Sequence, residues 1–176
     1  GFNGDFEISV QGSSSVSSPQ KGLNVIARSE LGSNSIPYPL FANANVESQA
    51  SQHTEIKRFI LRSWGSVLSD TAFFADAYQQ ALAASAGLEI QAYRPAIVFI
   101  NGEYWGLHEI RESNKNSWYH QARTGIDRDD PGFDMIEGSG NIVDEGDAVH
   151  WNATMSYINS NNLANDTVYS QVETRI

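Results

Sequence analysis

Between two short apolar segments the chain carries Gly12-Ser13-Ser14-Ser15-Val16-Ser17-Ser18-Pro19, and Lys21 follows. Backbone N–H groups and the hydroxyls of Ser14 and Ser15 are donors, and a lysine opening the next strand adds a point charge. Together these are the components of a phosphate cradle. The same residues fit a flexible surface hairpin loop with a solvated lysine, because neither G-x-x-x-x-G-K-[ST] nor G-x-G-x-x-G is present. Elsewhere the chemistry-bearing residues form no familiar constellation. His53, His108, His120 and His150 show no metal-ligand spacing, and His108, inside an alternating strand, reads as packed or solvated. Asp127, Asp129, Asp130 and Asp134 gather around Pro131-Gly132 without the D-x-[DN]-x-[DN]-G order of a calcium loop. Asn152-Ala153-Thr154 and Asn165-Asp166-Thr167 match the glycosylation pattern and read as chance matches.

Bulk properties narrow the options. The 176 residues suit one domain. Absence of cysteine excludes a disulfide framework, a zinc ribbon and a thiol nucleophile. A net charge of −10, from 21 acids and 11 bases, argues against non-specific nucleic-acid binding, which depends on basic charge releasing counterions. It argues equally against docking on anionic lipid. No apolar run reaches the roughly 20 residues of a membrane span, so no membrane insertion is expected. The first five residues do not read as a signal peptide.

The elements that must position these residues follow from period and punctuation. Asp5–Val10 and Leu23–Ala27 read as strands paired across the Gly/Ser loop. Pro37 and Pro39 bar 36–41 from a central strand. Residues 43–53 are polar and read as loop, and Ile56–Arg62 as a third strand. A long helix is expected from a cap at Ser69 or Asp70 to Ala86, with Gly87 beyond it. Phe74, Ala77, Tyr78, Ala81 and Leu82 form its apolar face, expected to pack on the sheet. Ala96–Ile100 and Tyr104–Ile110 flank Asn101-Gly102, a strong two-residue hairpin signal. Asn116–Arg123 reads as helix, Phe133–Glu137 as strand, and Ala148–Asn159 and Thr167–Glu173 as helices. The expected class is α+β, hairpin-rich and antiparallel, with a packed long helix and C-terminal helices. Arg111 and Glu112 are expected in structural ion pairs.

The stretch from Arg94 to Glu112, with its N-G-E-Y-W-G turn closed by Arg111-Glu112, resembles the signature hairpin of the CotH kinase family, named for spore coat protein H. Gln11 to Ser15 with Pro19-Gln20-Lys21, then Phe59-Ile60-Leu61-Arg62, then Asp134 to Gly138 with Glu145-Gly146-Asp147 and Trp151, resemble other family segments in the right order. The resemblance runs from about Asp5 to the end. It implies an atypical protein-kinase-like fold that uses ATP and magnesium to phosphorylate Ser or Thr of a coat or surface protein. It also implies a bacterial spore-coat, secreted or cell-surface setting. Within that frame Ser14, Ser15 and Lys21 would face the phosphates, and Asp76 on the helix is a candidate partner for Lys21. Ile110 to Glu112 would form the hinge against the adenine edge. The family's metal-binding segment, D-W-P-G-N-N-like, lies downstream, and no such sequence occurs before Ile176. The expectation is therefore one domain over 1–176, cut short at its C-terminus and inactive alone. Two departures, Ser14-Ser15-Val16 where the family has S-S-R and Ala75-Asp76 where it has R-D, favour the alternative of a non-catalytic binding or structural module.

Overall fold

The computed structural model describes residues 1–42, 44, 54–63, 74–129, 133–138 and 142–175. They fall into two compact units, 1–114 with 118–126, and 115–117 with 127–176. The class is α+β with an antiparallel sheet, as expected.

The first unit is built on five strands: β1 (Glu7–Gln11), β2 (Gly22–Ile26), β3 (Arg58–Arg62), β4 (Tyr93–Ile100) and β5 (Glu103–Glu112). Their order across the sheet is β1-β2-β3-β5-β4, each neighbour antiparallel. β1 and β2 pair across the Gly/Ser loop, which makes one turn of 3-10 helix at Ser14–Ser17. β4 and β5 form the anticipated hairpin, with φ of 54° at Asn101 and 84° at Gly102. Left-handed geometry at both positions matches the right-handed twist of the strands, which is why Asn-Gly is selected there. β4 begins three residues before the apolar run, and Pro95 lies within it. Proline is tolerated because β4 is an edge strand.

Directly paired residues project on the same face of an antiparallel sheet. On one face Val25 pairs with Phe59 and Leu61 with Ile110. Residues 27–42 cover this face, and Ala27, Ile36, Leu40 and Phe41 complete a core with Val25, Phe59 and Ala92. Ile36 bridges to Ile56, and Arg94 donates to the Leu40 carbonyl at 2.9 Å. Pro37 and Pro39 thus sit in a covering segment, as their lost donors require.

α1 (Ala75–Ser85) connects β3 to β4 and corrects the expectation of a long packed helix. It has 11 residues. Ala77 is its buried residue, while Phe74, Tyr78 and Leu82 are more than half exposed. The caps expected at Ser69 or Asp70 lie outside the described residues, as does most of the 43–53 loop. α2 (Ser117–Thr124) buries Tyr119, whose hydroxyl donates to the Ile90 carbonyl and to Glu89, each at 3.2 Å.

In the second unit β6 (Met135–Glu137) pairs with β7 (Ile142–Glu145), a strand the sequence reading missed. α3 (Val149–Ser160) and α4 (Asp166–Glu173) follow near the expected positions. Asn165 caps α4, accepting from Thr167 N at 2.9 Å and Val168 N at 3.3 Å. Among the described residues no helix is long and apolar enough to cross a membrane.

Candidate functional site

The sheet face opposite the core holds a charged cluster. Ile60 pairs with Arg111 and Arg62 with Glu109, so Arg62, Glu109 and Arg111 share this face. Asp76, in the first turn of α1, joins them. Arg111 Nη2 donates to Asp76 Oδ2 at 2.6 Å and to Glu109 Oε2 at 3.0 Å, and Arg111 Nε reaches Glu109 Oε2 at 3.1 Å. Arg62 Nε lies 3.2 Å from the same Asp76 oxygen. The Arg111 guanidinium also lies over the Tyr93 ring, 5.4 Å from its centroid.

Accessibility grades across this cluster. The side chain of Arg111 is 1% exposed and that of Glu109 7%, whereas Asp76 is 23% and Arg62 34% exposed. Burial pushes the Glu109 carboxyl above its ordinary range more than the Arg111 guanidinium pulls it down. Burial likewise raises the Tyr93 phenol. Glu109 Oε1 and Arg111 Nη1 are buried, and among the described residues neither has a hydrogen-bond partner. Arg62 is the member of the cluster best able to meet a solute. Its planar fork suits a phosphate or carboxylate.

The Gly/Ser loop is closed by the lysine that was expected to reach outward. Lys21 Nζ donates to the Val16 carbonyl at 2.5 Å and the Ser18 carbonyl at 2.6 Å, capping the 3-10 turn. A Cβ at Gly12, whose φ is 110°, would collide with Ser15 Oγ, so the turn closes only over glycine. The stem of the loop is tied to β5. His108 is buried, and its Nε2 bonds the Lys21 carbonyl at 3.0 Å. A carbonyl only accepts, so Nε2 carries the proton and Nδ1 accepts from Gln20 Nε2 at 3.3 Å. The same Gln20 nitrogen donates to the Leu107 carbonyl at 2.6 Å.

The expected site residues therefore divide. Ser14, Ser15 and Lys21 share one loop, but Lys21 bonds that loop's own carbonyls and Asp76 pairs with Arg111 and Arg62, which corrects the Lys21–Asp76 pairing. Glu112 is buried. Its carboxylate accepts the Ala92 N–H at 2.7 Å, its N–H donates to the Ala92 carbonyl at 3.3 Å, and its carbonyl accepts from Gln91 Nε2 at 2.7 Å. Its backbone is thus engaged, unlike the exposed hinge expected there. Arg111 does form the expected structural ion pairs. Of the aspartates near Pro131, Asp127 caps the Asp129 N–H and Asp134 accepts from Asp147 N; Asp130 lies outside the described residues.

Arg62 and Glu109 are the functional candidates the sequence reading missed. The available signal was charge at alternate positions of otherwise apolar strands: Ile60 then Arg62, Leu107 then Glu109 then Arg111. Alternation places such residues on one face, and charge is seldom buried without a partner.

A family model described as CotH kinase protein matches residues 8–176. Neither a curated protein nor a solved structure matches the chain.

Proposed function

Because the chain belongs to the CotH kinase protein family, we propose that it binds the phosphates of ATP and takes part in transferring the γ-phosphoryl group to a Ser or Thr hydroxyl of a protein substrate. The observation that carries this reading is the Arg62–Asp76 pair. In protein kinases a cation on the third strand pairs with an acid on the following helix and aligns the phosphates, while the loop between the first two strands covers them. Here the third strand ends in Arg62, the helix after it opens with Asp76, and their side chains meet at 3.2 Å. The loop between β1 and β2 is the Gly/Ser turn held by Lys21.

In this reading Arg62 neutralises phosphate charge and orients the chain of phosphates, Asp76 fixes its guanidinium, and backbone N–H groups of the Gly/Ser turn cover the anion. ATP supplies the transferable group. Among the described residues no three His, Asp or Glu side chains converge as a metal site, so these residues do not by themselves fit a magnesium ion. The substrate is a protein, and a spore-coat, secreted or cell-surface setting belongs to the proposal.

ADP titration followed by amide chemical shifts tests the reading. Shifts should concentrate in 12–18, β3 and the start of α1, and Arg62→Ala should weaken binding roughly tenfold or more, as expected for loss of a charge-assisted contact. Shifts elsewhere, or unchanged affinity in Arg62→Ala, would overturn it. One observation favours the alternative of a non-catalytic module: the Lys21 ammonium is taken up by loop carbonyls. No ADP-dependent shift at all is the outcome that alternative requires.

A further inference from the structure

Resting on that reading, we propose that Arg111 is the positioning residue of the site: buried beneath the sheet, it holds Asp76 and through it both the docking of α1 and the aim of Arg62. Apolar packing gives α1 little hold. Ala77 is its buried residue, while Phe74, Tyr78 and Leu82, spaced four apart on one stripe, are 51%, 58% and 53% exposed. The Asp76 carboxylate ties the start of the helix to the sheet, and its shortest bond, 2.6 Å, runs to Arg111.

Arg111 is built for this role. Glu109 grips it through both Nε and Nη2, Tyr93 covers it, and its side chain is 1% exposed. These contacts hold the guanidinium independently of Asp76. Asp76 Oδ2 is then shared between this fixed cation and the solvent-accessible Arg62. The four side chains, two acids and two bases, balance in charge, so the cluster tolerates burial on one side while leaving one arginine at the surface. An anion that draws Arg62 outward does not release α1, because Arg111 keeps its hold on Asp76. Lysine cannot replace Arg111: one ammonium on a flexible stem does not reproduce a planar fork that bridges two carboxylates.

The test combines hydrogen exchange with ADP affinity for the chain and three variants, Arg111→Lys, Asp76→Asn and the double variant. Arg111→Lys should speed exchange of the α1 amides at least ~10-fold while amides of β2 and β3 keep their protection. Asp76→Asn, which alters a partly exposed group and spares the buried pair, should do the same. The double variant should be no faster than the quicker single one, since both cut one link. ADP affinity should fall roughly tenfold in Arg111→Lys at a temperature where the β2 and β3 amides keep their protection, so that the loss reports the aim of Arg62 and not global unfolding. Unchanged α1 exchange in both single variants would overturn the proposal, as would additive effects in the double variant. If Arg62→Ala weakens ADP while Arg111→Lys changes neither α1 exchange nor affinity, the proposal falls and the nucleotide reading stands. If the wild-type chain shows no ADP-dependent shift while α1 is released in Arg111→Lys, the nucleotide reading falls, and with it the aim of Arg62, but not the hold on α1.

Discussion

Glu109 shows how one buried carboxyl makes a site pH-sensitive. Burial raises its proton affinity in the folded chain above that in the unfolded chain. A group shifted in this sense contributes stability that is full below its unfolded value and is lost as pH rises through its folded value. The Glu109 contribution to denaturant midpoints should therefore decline as pH rises from its unfolded value through its raised folded value, so Glu109→Gln relative to the parent chain should remove that downward component. An unchanged slope in the variant would show that Glu109 is not the group responsible. Glu7 carries the opposite shift, lowered by the Arg28 hydrogen bond at 2.7 Å. Its contribution is present above the unfolded value and lost as pH falls through the lowered one. At the turn, a Cβ on Gly102 meets no atom within 4 Å, so the cost of Gly102→Ala is conformational. It should destabilise the chain by about 1–2 kcal/mol, the penalty for holding an L-residue in left-handed geometry, measured by urea unfolding.

Among elements, the hairpin was fully legible and the helix was not, for a physical reason. Asn101-Gly102 dictates a turn from two adjacent residues, and that turn brings the runs beside it together as antiparallel neighbours. α1 was read from apolar spacing, which reports an amphipathic face without saying what covers it. Phe74, Tyr78 and Leu82 form the expected stripe, yet the face the helix presents to the sheet is that of Asp76 and Ala77. The substitution outcomes change accordingly. Leu82→Ala should cost less than about 1 kcal/mol, far from the 2–5 kcal/mol of a buried leucine. Ala77→Leu should cost about 1–3 kcal/mol by overpacking. Thermal melts of the two variants decide between helix faces. The site was half legible for a similar reason. The loop residues are contiguous, and their composition announces them. Arg62, Asp76, Glu109 and Arg111 come from three elements and meet only because β3 pairs with β5 and α1 returns over them. β7 escaped because 142–145, Ile-Val-Asp-Glu, is too short to show an alternation.

At the scale of the whole molecule, the sheet has one face covered by residues 27–42 and one face bearing the charged cluster, and β4 lies at its edge. That edge has a consequence outside catalysis. β4 runs eight residues, and Ile97 and Phe99 are each 61% exposed on it. A long edge strand with apolar side chains invites a second molecule to add its own strand, the first step toward insoluble aggregates. Pro95 brings no N–H to the incoming chain, so a guest strand loses a ladder bond at that position. Pro95 is in this sense a guard on solubility, one that leaves the hairpin's inner pairing intact. Pro95→Thr restores a donor and a strand-favouring side chain, so it should raise light scattering on warming and shorten the lag before precipitation, with little change in the far-ultraviolet signal of the freshly folded monomer.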